Sequence, residues 1–139
     1  IDSPYIYARL ILANLGNFIF FFFSSFKILC KDTNQIVRET AASILAEFAN
    51  SLEYQFITSE IIFLWNQLVY DDYESVRLIS LKKCISIASL LSSEDIKEHM
   101  IPVLRHTTED KSSKISYVAS TKLMQIKSCF LEQKRLIYR

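Results

Sequence analysis

The chain has 139 residues, half of them hydrophobic, with sixteen basic and fifteen acidic side chains and a net charge of +1. That is enough for one compact domain burying roughly 68% of its unfolded surface. It is too apolar for disorder and too neutral for charge-driven nucleic-acid binding. One Gly and two Pro are too few turn formers for an all-β fold, so long helices with short connections are predicted. Cys30, Cys84 and Cys129 form no paired-spacing motif. This argues against a disulfide framework or zinc site and for a reducing intracellular compartment. The chain opens on Ile1 rather than Met, as a fragment of a longer protein would.

In chain order, residues 3–15 read as the second helix of a partial helical unit, stopped by Gly16 and Asn17. The uncharged stretch Leu10–Phe26 is 17 residues long, at the short limit of the roughly 17–25 that span a bilayer. Asn14, Gly16 and Asn17 in its middle argue against a membrane span, and a Phe patch docked on a neighbour is the preferred reading.

The pattern Asp-x-x-x-x-Val-Arg occurs at Asp32–Arg38 and returns at Asp71–Arg77, an offset of 39 (71 less 32). A third copy begins at Asp110, with Ile115 in the Val place and Ser116 in the Arg place. From Val37 the apolar positions Ala41, Leu45, Phe48 and Leu52 follow at helical spacing. The same offset carries them to Val76, Ser80, Cys84, Ile87 and Leu91, then to Ile115, Ala119, Leu123, Ile126 and Phe130, with Ser80 the one polar member. Cys84 is read as a small core hydrophobe.

An earlier helix in each unit repeats likewise: Phe22, Phe23 and Phe26, then Ile61, Ile62 and Trp65, then Met100, Ile101 and Leu104. Each unit is therefore a helix of about three turns, a tight turn near the Asp, and a longer helix. Ser59-Glu60 and Ser92 to Asp95 are read as caps and first-turn acids of first helices. Pro102 is expected to kink its helix rather than end it. The predicted divisions are a partial unit at 1–17, units at 18–55, 56–94 and 95–130, and a tail at 131–139. A fixed helical period of this length predicts an all-α solenoid in which the units bury their faces on one another.

The runs AASILAEFA, SEII, SVRL, CISIASLL and PVLRHTTEDKS, in this order within about residues 29 to 118, resemble HEAT repeats. They are most similar to the middle repeats of the scaffold (A) subunit of protein phosphatase 2A. The resemblance implies a HEAT-repeat α-solenoid, a right-handed superhelix of stacked antiparallel helix pairs, with no enzymatic activity and no cofactor. Departures from the family pattern are Asn34 and Phe63 in place of Pro, Ser113 in place of Trp, and Ser116 in place of Arg.

No catalytic or metal-binding set is predicted. His99 and His106, the only histidines, lie two turns apart on one helix, about 10 Å, too far for one metal. The single Gly excludes a Gly-rich phosphate loop. Lys82-Lys83, Lys122 and Lys127 are read as a solvated face, so neither nucleic acid nor membrane is an expected partner.

In a stacked solenoid the turns inside the units align as a ridge. Here they are Asp32, Thr33, Asn34 and Gln35; Asp72, Tyr73 and Glu74; Lys111, Ser112, Ser113 and Lys114. The resemblance implies that this ridge holds a phosphatase regulatory (B-type) subunit in the cytoplasm. It implies that the catalytic subunit is held by C-terminal repeats which this chain does not match. Tyr73 is read as a partner anchor or as a shield over its own turn. Arg38 and Arg77 stand in the first turn of a second helix, where the macrodipole disfavours a cation. Pairing with Asp71 and Asp32-type carboxylates of adjacent turns is therefore expected, as an inter-unit ladder that ends at Ser116.

Overall fold

A computed structural model of the protein describes residues 22–131. The partial unit at 3–15, most of Leu10–Phe26 and the tail beyond Leu131 lie outside them. Helix α1 covers residues 22–30, and α2 is Gln35–Ala49. Helix α3 is one rod built from Tyr54–Phe56, a π-turn at Ile57–Ile61, and Ile62–Val69. Helix α4 is Glu74–Lys82, continued after a break by Cys84–Ala88. Helix α5 repeats the α3 pattern with Ser93–Asp95, a π-turn at Ile96–Met100, and Ile101–Thr107. Helix α6 is Ser113–Ile126, running on through Lys127–Leu131. Short turns fold these into the pairs α1/α2, α3/α4 and α5/α6, with α2 packed on α4 and α4 on α6. Among the described residues every regular element is helical, and the fold is an all-α HEAT-type solenoid.

Local chemistry sets the helix starts. The Asn34 side chain accepts the Ile36 N–H at 2.8 Å, and the Ser112 hydroxyl accepts the Ile115 N–H at 3.4 Å. Each satisfies an otherwise free amide. Ser92 caps α5 by accepting the Asp95 N–H at 3.2 Å. Ser59-Glu60 does not cap α3: its helix starts more than a turn earlier, after Glu53, and Ser59 and Glu60 fall inside the π-turn. Ser92 has its repeat counterpart in Glu53, so the cap is present in only one of the two units.

The two π-turns stand one period apart, and both place their ends in the core, Ile57 and Ile61 in one unit and Ile96 and Met100 in the next. Pro102 follows the second π-turn, whereas Phe63 holds the same place after the first. The irregularity therefore belongs to the repeat and not to the proline.

The core is continuous through the units and includes Leu45, Leu64, Trp65, Leu81, Ile87, Leu104, Ile115 and Ile126. Phe26 and Phe23 stack on Phe48 of α2 at centroid distances of 4.7 and 6.2 Å. Phe22, on the same predicted face, is exposed, so the apolar stripe of α1 is narrower than the register predicts. Ser80 is buried with its hydroxyl donating to the Val76 carbonyl at 2.8 Å. The register place is small in every unit, Ala41, Ser80 and Ala119, and all three are buried. The Trp65 indole N–H donates to the Ser80 carbonyl at 3.1 Å. In an unbroken helix that carbonyl would take the Cys84 N–H, and the break in α4 falls at Lys83, between these residues. No helix of the described residues is long and apolar enough to cross a membrane.

Candidate partner-binding ridge

The three intra-unit turns carry one arrangement. In each, the Asp carboxylate accepts the N–H two residues on: Asp32 from Asn34 at 2.8 Å, Asp71 from Tyr73 at 3.0 Å, Asp110 from Ser112 at 2.9 Å. These bonds close the turns and hold the next helix start in place.

The recurring arginines join one turn to the next. Arg38 donates from Nε and Nη2 to both Asp71 oxygens at 2.8 and 3.1 Å, and from Nη1 to the Asp32 and Thr33 carbonyls at 2.7 and 3.2 Å. Arg77 does the same one period on. It meets Asp110 at 3.1 and 3.4 Å, and the carbonyls of Asp71 and Asp72 at 3.0 and 3.1 Å. Both arginines therefore point forward along the array. Arg77 has Asp110 as its carboxylate, and the Asp32 contribution to Arg38 is a backbone carbonyl. The bidentate carboxylate and the two carbonyls offset the helix dipole. The hydrogen bond to Asp71 is also the main reason that the Arg38 guanidinium is held above its ordinary pKa, with partial burial opposing it. In the third unit the Ser116 hydroxyl donates instead to the Thr108 carbonyl at 2.6 Å, and among the described residues no rung leaves it.

Two further contacts cross between turns. The Arg38 guanidinium lies over the Tyr73 ring, 5.5 Å from its centroid. The Ser112 hydroxyl donates to Glu74 at 3.0 Å. Tyr73 thus covers the rung made by the preceding unit and remains 50% exposed. Thr33, Asn34, Asp72, Glu74, Lys111, Ser113 and Lys114 are exposed, while Gln35 and Ser112 are half-buried. Between the first two turns lies an open cleft of about 620 Å³, bordered by Lys31, Asp32, Thr33, Asp72 and Tyr73 around the Arg38–Asp71 pair.

The opposite edge holds a cluster that the sequence alone did not reveal. The Tyr54 hydroxyl donates to the Asp95 carboxylate and accepts the Ser92 N–H at 2.9 Å, tying α3 to the start of α5. Tyr54 sits 38 residues from Ser92, and a lone tyrosine at a helix start gives no sequence signal for that tie. The ligand-type atoms of Asp95, Glu98 and His99 lie within 4.8 Å of one another, a grouping of cation-ligand type among the described residues. Asp95 is already engaged by Tyr54 and by Ser92 Oγ at 3.1 Å. His106 stands apart, edge-on to Tyr70 at 5.5 Å. Cys30 and Cys84 are buried, and burial pushes both thiols up to about 12. Cys129 is exposed.

Two relatives place this geometry in a family context. The chain is 33% identical over 103 residues to the regulatory A subunit of protein phosphatase PP2A from Schizosaccharomyces pombe, a match covering 73% of the chain. It is 31% identical over 80 residues, 58% of the chain, to a probable serine/threonine-protein phosphatase PP2A regulatory subunit of Caenorhabditis elegans. No family model matches the chain. The matched stretches span 18% and 14% of the lengths of these two relatives. The chain is a partial relative of the regulatory A subunits of protein phosphatase PP2A.

Proposed function

We propose that the chain is a non-catalytic scaffold segment of a cytoplasmic PP2A-type phosphatase complex, holding a regulatory (B-type) subunit through its intra-unit turns. The observation that carries this reading is the ridge itself. Its turns are cross-linked by Arg38–Asp71 and Arg77–Asp110, which leaves Thr33, Asp72, Tyr73, Lys111 and Lys114 presented on a fixed frame. A frame already ordered in the free protein loses less entropy when a partner docks. Similarity to a PP2A regulatory A subunit over 73% of the chain supports the same reading. On it, the catalytic subunit is held only by repeats not present here.

One observation favours a second reading, a structural HEAT protein of a large assembly without phosphatase. Ser116 replaces the arginine, so the third turn lacks the forward rung of the other two. A pull-down from the source lysate with the intact chain and a paired Asp32→Ala, Tyr73→Ala variant separates the two. Recovery of phosphatase subunits by the intact chain, with the regulatory subunit lost from the variant, supports the scaffold. Recovery of an unrelated assembly without phosphatase supports the second reading.

A further inference from the structure

Charge is segregated over the array. From Lys111 to Leu131 the chain has Lys111, Lys114, Lys122 and Lys127 and no acid, while Lys82 and Lys83 stand on the neighbouring second helix. Glu94, Asp95, Glu98, Glu109 and Asp110 lie on α5 or in the turn after it, and the one acid on α4, Glu74, stands in its first turn and accepts from Ser112. Among the described residues neither Lys82 nor Lys122 has an ion-pair partner.

Both lysines border one cleft of about 390 Å³ on the face of the second helices, together with Tyr117, Val118 and Thr121. Tyr117 is 73% exposed. Thr121 Oγ1 donates to the Tyr117 carbonyl at 3.0 Å, so its hydroxyl proton is already committed to the backbone. The groove one unit earlier has Glu47 and Asn50 along one wall and Lys83, Ser86 and Ser89 along the other. Its border includes both a lysine and an acid of the chain itself. The α4/α6 cleft has no such acid.

We propose that the cleft between α4 and α6 docks an acidic segment of a partner protein, with carboxylates at Lys82 and Lys122 and an apolar side chain against Tyr117 and Val118. An exposed lysine–carboxylate pair contributes about 0–1 kcal/mol, so the apolar contact must supply part of the affinity. A nucleic-acid strand fits less well. Its affinity grows with the number of phosphates neutralised, and this cleft offers two cations and no arginine. The surface lies on the helix face and shares no residue with the ridge, so it stands or falls independently of the B-subunit reading.

The test is fluorescence anisotropy with a labelled oligoglutamate peptide carrying a central leucine, run against the intact chain, Lys82→Gln/Lys122→Gln, Tyr117→Ala and the remote control Lys97→Gln. The double lysine variant should bind about tenfold more weakly, two ion pairs being lost. Tyr117→Ala should weaken the leucine peptide but not an all-glutamate one, and Lys97→Gln should change nothing. Circular dichroism melts superimposable on the intact chain would show that the exposed substitutions leave the fold in place. No binding of the peptide, equal binding by the double variant, or tighter binding of an oligothymidine than of the peptide overturns the proposal.

Discussion

Arg77 is the residue on which two units depend. Its side chain and that of Asp110 are only 8% and 12% exposed, so removing the guanidinium strands a nearly buried carboxylate. We expect Arg77→Ala to lower unfolding free energy by about 1–3 kcal/mol, measured by urea titration with an unchanged m-value. A cycle with Asp110→Ala should recover part of that loss as coupling. An unchanged midpoint would mean that the rung contributes nothing to stability. The thiols give a second check at this scale. Cys129 should react with a disulfide reagent in the native protein at neutral pH, whereas Cys30 and Cys84 should react only on unfolding. Their folded pKa is raised from 9.0 to about 12. Their contribution to stability is therefore complete below pH 9 and is lost as pH rises from there towards 12. The fall in melting temperature over that window should shrink in Cys84→Ala relative to its own midpoint at pH 7.

At the scale of the helix, the repeated π-turn makes a prediction that propensity alone would reverse. Phe63→Pro should be tolerated within about 1 kcal/mol, because Pro102 occupies the equivalent place, whereas Asn66→Pro in the same rod should cost about 3 kcal/mol or more. Thermal unfolding of the two variants checks the contrast. The sequence revealed the helices well because the period fixes their faces: Ser80 and Cys84 are buried where Ala41 and Leu45, one period earlier, predict. Helix starts were less legible. Ser59-Glu60 looks like a cap, yet the helix begins after Glu53, since a π-turn extends the rod without any composition signal. The break at Lys83 was equally hidden. It lies beside a tertiary hydrogen bond from Trp65 to the Ser80 carbonyl, which no local pattern encodes.

Over the whole molecule, the regular stacking of HEAT-type units turns a local sequence mark into an extended surface. The period identified the ridge residues, but not the direction of the ladder. Arg38 meets Asp71 and Arg77 meets Asp110, the Asp32-type carboxylate of the next unit, so both rungs run forward, which the period alone does not specify. Nor could the sequence assign Tyr73 its position over Arg38, which makes that ring both part of the frame and half-exposed upon it. Whether this ridge holds a regulatory subunit is decided most directly by calorimetric titration of the intact chain with a purified B-type phosphatase regulatory subunit. The titration is repeated with Asp72→Lys on the ridge and Glu53→Lys on the opposite edge. Binding by the intact chain is expected, with a loss of about tenfold or more in Asp72→Lys and none in Glu53→Lys. Equal binding by all three, or no binding by the intact chain, would show that the ridge is not the docking surface.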